Sequence, residues 1–183
     1  MRVLDLAVMA PSASNKQPWR FVVVRDRGTI DRMTDAVNEA RARVVLAVDE
    51  ASRGAIEAYG AYFTRFSEAP LVIVPIHRSL TILSSLVGER LDADARDAIV
   101  RMERESGLIG TSLAMQNLLL AAHAEGLGAS GMTGPLIARG RLGEILEVPA
   151  GWDIAALVPV GWPAEDPPAP ERKAAARVTR WIG

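Results

Sequence analysis

The sequence predicts a mixed fold of short strands and longer helices, an α/β or α+β sandwich, and three observations carry that expectation. Residues 19–24, 71–76 and 154–160 are short, β-branched apolar runs of the kind that form buried strands. The stretches between them place apolar residues at three- and four-residue spacing, the period of an amphipathic helix. No repeat, linker or composition shift divides the 183 residues, so one domain over 1–183 is expected.

Taken in order, residues 2–9 read as the tail of a helix that Pro11 ends. After the first strand, Thr29 is a candidate cap for a helix striped by Ile30, Met33, Val37 and Ala40. A second stripe runs through Ile56, Tyr59, Tyr62, Phe63 and Phe66, whose aromatics suit core or lid packing better than a cofactor box. Residues 92–125 read as helical, with a break expected near Ser106-Gly107. Residues 113–124 are apolar almost all round, so burial on every side is expected, as for a central helix of a dimer. Gly126 and Gly128 end that helix and lead into a short strand, and Pro135 suits the first turn of the next helix. Beyond the strand at 154–160, Gly161-Trp162-Pro163 opens a Pro-rich extended connection through Pro170, and residues 178–182 suit one last strand.

Composition excludes several classes. With 49% hydrophobic and 23% charged residues and a net charge of -1, the chain is globular, and nucleic acid is not expected as a partner. There are no cysteines, which removes disulfides, thiol catalysis and Cys-based zinc sites and suits a reducing cytoplasm. The first residues lack the layout of a signal peptide, and the longest apolar stretch is interrupted by Gln116 and Asn117, so no membrane partner is expected. Arg172, Lys173, Arg177 and Arg180 gather positive charge near the C-terminus, most simply as a solvated tail.

Two motifs mislead. Gly126-Leu127-Gly128-Ala129-Ser130-Gly131 matches G-x-G-x-x-G, but a dinucleotide fingerprint needs a strand before it and a helix opening on its last glycine. Here a helix precedes it and Met132-Thr133-Gly134-Pro135 comes after. Gly110-Thr111-Ser112-Leu113-Ala114 resembles a nucleophile elbow, yet it lacks an entering strand, and the only histidines are His77 and His123. Both histidines read as packing or surface residues, and no metal-ligand spacing is present.

The informative block is Ala10-Pro11-Ser12-Ala13-Ser14-Asn15-Lys16-Gln17-Pro18-Trp19-Arg20-Phe21. Two prolines stiffen a loop studded with hydrogen-bonding side chains, directly before a buried strand. Such a loop suits a polar ring edge or a sugar chain, because little ordering is left to be done on binding. From the residues alone, a well-capped surface turn fits equally well.

The block resembles the A-P-S-x-x-N-x-Q-P-W-x-F signature of the FMN-dependent nitroreductase family. The resemblance continues through residues 114–128, similar to the family's central helix and following turn, and through Val158-Pro159-Val160-Gly161-Trp162-Pro163 followed by Arg172. It implies an α+β, nitroreductase-like sandwich with a mostly antiparallel central sheet flanked by helices, and a homodimer in which the C-terminal arm is exchanged. It also implies FMN between the subunits, with Pro11, Ser12, Ala13, Asn15 and Gln17 facing the flavin from one chain. Gly131, Met132 and Thr133 would face it from the other, and Arg172, a permanently charged fork, would hold the phosphate. The implied activity passes hydride from NAD(P)H, or a reduced deazaflavin, through FMN to a planar acceptor such as a nitroaromatic or quinone. No catalytic acid or base is expected from the sequence.

One departure stands out. Family members carry an R-R-S-x-R-like phosphate motif some twenty residues before this block, and no such motif occurs here; Arg2 is a conceivable substitute. That leaves two rival readings. One is other flavin chemistry on the same scaffold (flavin fragmentation, dehalogenation, a reductase step in deazaflavin biosynthesis), with Tyr59, Tyr62 and Phe63 closing over substrate. The other is a non-catalytic homologue that has lost FMN.

Overall fold

The structure, a computed structural model of the chain, describes residues 2–87, 90–166 and 168–183. Its centre is β2 (Leu71–Arg78), buried along six successive residues and therefore covered on both faces, as its unbroken apolar run requires. β1 (Trp19–Val24) pairs antiparallel with β2 from Trp19 opposite His77 to Val24 opposite Val72. The other edge of β2 is shared by β5 (Val158–Gly161), which begins pairing at Leu71 opposite Val160, and by β4 (Trp152–Ile154), which pairs at residues 76–78. β3 (Gly128–Ala129) adds to β5. Every pairing is antiparallel, and the fold is α+β.

Residues 154–160 are thus not one strand but two, and Pro75 explains the split. The carbonyl of Pro75 accepts from the Ala155 N–H at 2.9 Å, so its missing N–H falls on this same edge. Between the two paired stretches, Val74 and Pro75 face three residues, Ala155, Ala156 and Leu157. That one-residue excess is a bulge. Leu157, just past the bulge, exchanges two backbone hydrogen bonds with Met132, at 2.8 and 2.9 Å, in the register that pairs Gly128 with Gly161, so the bridge continues the β3–β5 ladder.

Helices cover both faces. α2 (Arg27–Ala47) lays Ile30, Met33, Val37 and Ala40 against Val72, Val74 and Ile76, with Leu142 of α6 (Arg139–Ile145) completing that core. On the opposite face, Ile73, Val158 and Val160 meet Ala7 of α1 (Arg2–Ala7) and Leu118 of α5 (Ala93–Ala124). α2 begins two residues before Thr29, because the Asp26 carboxylate caps it by accepting from both the N–H and the hydroxyl of Thr29 at 2.7 Å.

α5 runs without the break expected at Gly107. A Cβ there would overlap the carbonyl oxygen of Arg78, so the glycine serves close approach of helix to strand rather than a kink. Nor are residues 113–124 buried all round in the single chain: Leu113 and Leu120 are open, and Ile109 extends the same apolar stripe. The aromatic stripe also divides. α3 (Glu50–Gly60) passes into a tighter 3-10 stretch over Ala61–Glu68, which breaks the α-helical spacing of the stripe; Tyr59 and Tyr62 are exposed while Phe66 is fully buried. The C-terminal residues do not form the expected strand: α7 (Ala175–Val178) is a single turn, and Trp181 and Ile182 are exposed. The Pro-rich connection before it has no regular structure, and its Pro167 lies outside the described residues.

One buried charge organises the start of α4 (Leu83–Val87). Glu103, 3% exposed, accepts from the N–H groups of Ile82 and Leu83 at 2.6 Å and from the Ser84 hydroxyl at 2.5 Å. Burial alone raises its carboxyl, but these hydrogen bonds outweigh burial and hold it below its ordinary value.

Two outcomes are expected. Gly107→Ala should destabilise the fold by about 1–3 kcal/mol through the clash, although alanine favours a helix by about 1 kcal/mol; urea unfolding measures the balance. For Glu103, a depressed folded value means that its stabilisation is complete above the ordinary glutamate value of about 4.3 and is lost as pH falls through the folded one. Glu103→Gln should therefore show a shallower loss of stability on acidification than the parent, and parallel curves would remove Glu103 from the acid response.

Candidate functional site

The polar block folds as a tight loop over Ala13–Asn15 between α1 and β1. Ser14, Asn15 and Gln17 all take positive φ, between 45° and 52°, a left-handed conformation that costs free energy for any non-glycine residue. Two hydrogen bonds help hold it: Ser12 Oγ accepts from the Gln17 N–H at 2.9 Å, and Gln17 Nε2 donates to Asn15 Oδ1 at 3.2 Å. Pro11, Ala13, Asn15 and Gln17 are exposed, and Ser12 is half-buried. The loop rests on α5, where Gly110 leaves room for Ser12 and Pro18: a Cβ at Gly110 would touch both at 3.3–3.4 Å.

The second expected group lies on the far side of the bulge. Met132 is fixed by its ladder with Leu157, while Gly131 and Thr133 on either side of it are exposed. Gly131 faces the Met115 side chain, and Gly134 is crossed by Phe63, whose ring occupies the space a Cβ there would need. Phe63 in turn meets Tyr59 edge to face, with ring centroids 5.2 Å apart. Both groups therefore seat on α5, at residues about 140° apart around the helix.

Arg172 is not brought to either group. It sits on the exposed arm, and among the described residues its guanidinium donates only to the neighbouring carbonyls of Pro170 and Glu171. Arg2, the conceivable substitute, is committed elsewhere, in an ion pair with Glu125 at 3.0 Å. The misleading motifs resolve plainly: Ser112 lies inside α5, its hydroxyl donating to the Leu108 carbonyl at 2.9 Å, and no helix opens on Gly131. Among the described residues, no three acidic or histidine side chains gather as a metal site, and no helix is long and apolar enough to cross a membrane.

A feature that sequence reasoning missed adjoins Thr133. A cavity of about 680 Å³ opens between α5 and the strand ends, walled by Arg101, Arg104 and Leu108 from α5, His77 from β2, and Thr133 and Arg139 opposite. His77 is buried, and among the described residues its Nδ1 has no hydrogen-bond partner. Burial lowers its pKa; Asp153 pulls the other way, and Arg139 and Arg104 add to the lowering, so the imidazole is neutral at pH 7. The signal available in the sequence was the spacing of Arg101, Arg104 and Leu108, which puts all three on one helix face.

A family model described as the nitroreductase family matches residues 1–162, a span that ends before Arg172. The chain is 33% identical over 175 residues to 5,6-dimethylbenzimidazole synthase of Rhodospirillum rubrum, covering 93% of this chain and 74% of that protein. It is 31% identical to an NADH dehydrogenase of Thermus thermophilus, covering 98% and 82%. Among solved structures, a BluB-like flavoprotein from Clostridium difficile 630 superposes with a TM-score of 0.82 at 18% identity, covering 99% of this chain and 87% of that one. An oxidised iodotyrosine deiodinase bound to FMN and 3-iodo-L-tyrosine gives 0.69 at 20% identity, covering 98% and 86%. With the family model spanning most of its length and the same sandwich in its structural neighbours, the chain belongs to the nitroreductase family.

Proposed function

We propose that this chain is a flavin-dependent oxidoreductase that holds FMN between two copies of itself and passes hydride from a reduced nicotinamide, or a reduced deazaflavin, to a planar acceptor such as a nitroaromatic or quinone. Family membership supports the coarse reading, a flavin oxidoreductase. The observation that carries the finer one is the placement of the two expected groups on different sides of α5, each presenting exposed polar or backbone groups. A site drawing one group from each of two chains suits that placement. The open stripe of Ile109, Leu113 and Leu120 supplies an apolar surface for the second copy, and the exposed Val178, Trp181 and Ile182 suit an arm that packs on it.

The donor set fits a flavin. The Ser12 hydroxyl keeps its own proton to donate while accepting from Gln17, and Asn15 and Gln17 present amides at an exposed, stiffened edge. Gly131 leaves its backbone open beside Met132 and Thr133, and Arg172 is the cation that the resemblance assigns to the phosphate. When bound, FMN supplies the hydride chemistry that protein side chains lack. The chain's own share is orientation: the positive-φ loop is formed before binding, so little ordering remains to be done.

A second reading has a specific observation behind it. The 33% identity to 5,6-dimethylbenzimidazole synthase and the likeness to a BluB-like flavoprotein favour flavin fragmentation on this scaffold. The two readings separate in one aerobic assay with FMN, NADH or NADPH, and a quinone. Reduced quinone with intact FMN supports hydride transfer, and loss of FMN with a new aromatic product supports fragmentation. In the same assay, Arg172→Ala should weaken FMN by roughly tenfold or more, as loss of one charged hydrogen bond implies, with an unchanged unfolding midpoint. Unaltered FMN affinity would take Arg172 out of the site.

A further inference from the structure

The cavity beside Thr133 carries an unbalanced charge. Arg139 is paired with Asp153 at 3.0 Å, but Arg101 and Arg104 make no ion pair with any described residue. Among the described residues, Glu105 is the one other acid in the wall, so three guanidiniums accompany two carboxylates there. Leu108, Leu136 and Ala155 supply apolar lining that suits the body of an organic ligand. His77 completes the wall as a buried side chain whose Nδ1 has no partner among the described residues. The helix spacing of 101 and 104 sets two forked cations on one face, a geometry that matches a carboxylate or phosphate better than a neutral group.

We propose that this cavity is a specificity site for an anionic planar ligand, with Arg101 and Arg104 holding its carboxylate or other oxyanion and Leu108 and Leu136 flanking its ring. The inference rests on the reading above in one respect: Thr133, which lines the cavity, is also one of the residues assigned to the flavin's side. An acid anchored by the arginines then extends toward Thr133, which selects acidic acceptors over neutral ones of equal shape. Arg101 and Arg104 act here as binding residues and take no part in chemistry. Both are exposed, so replacing them leaves the core intact.

The test compares 4-nitrobenzoate with its neutral isostere 4-nitrobenzamide. Calorimetric titration into the purified chain, with flavin as isolated, should show the acid binding at least about tenfold tighter than the amide, the size of one charge-assisted contact. Arg104→Gln and Arg101→Gln should each remove most of that preference while leaving the amide unchanged, and in turnover the change should appear in KM for the acid with kcat little altered. Equal binding of acid and amide, or variants that weaken both alike, overturns the proposal. A chain that retains no flavin yet binds the acid through Arg104 upholds the anion site and counts against the proposed function, so the two can fail separately. Acid binding that survives both substitutions places the anion elsewhere and overturns the assignment.

Discussion

A proline in the middle of the central strand splits the sheet edge that runs beside the candidate site. β2 is buried on both faces, so each of its backbone groups must find a partner within the sheet. Pro75 has no N–H to offer, and its neighbours across the edge answer by inserting one extra residue between β4 and β5. Just past the bulge, Leu157 bridges Met132 in the register of the β3–β5 ladder, and this bridge anchors the segment from Gly131 to Gly134. A site segment is thereby held by backbone hydrogen bonds to the best-buried part of the fold.

α5 is the second organising element. It covers one face of the sheet, comes against the end of β2 through Gly107, and carries the polar loop on one side and, on another, both the Met115 contact and the arginines of the cavity. Its remaining apolar stripe faces outward. One helix thus links the proposed composite site, the apolar stripe proposed to meet a second copy and the arginines of the cavity. A substitution that tilts α5 will be felt at all three.

The local features were legible in the sequence and the relational ones were not. Strand β1, the stripe of α2, the turn at Gly126 and Gly128 and Pro135 are set by periodicity and turn chemistry within a few residues. Thr29 satisfies the capping rule on sequence grounds; only the structure shows that Asp26 is the cap and binds both Thr29 groups at once. The division of 154–160 depends on which strand lies opposite Pro75, and the straightness of α5 at Gly107 depends on the carbonyl of Arg78; neither partner is near in sequence. The polar loop could be found because its residues are contiguous. The cavity could not, because His77, Arg101, Arg104, Thr133 and Arg139 meet only in the folded chain.

The central claim is a composite flavin site shared by two copies of this chain, and its most direct test measures molar mass and visible absorbance across one chromatographic peak after incubation with FMN and removal of excess. The account predicts a dimer carrying about one flavin per chain, with both lost together on dilution or on removal of residues 163–183. A monomer that retains stoichiometric FMN, or a dimer that takes up none, would contradict it.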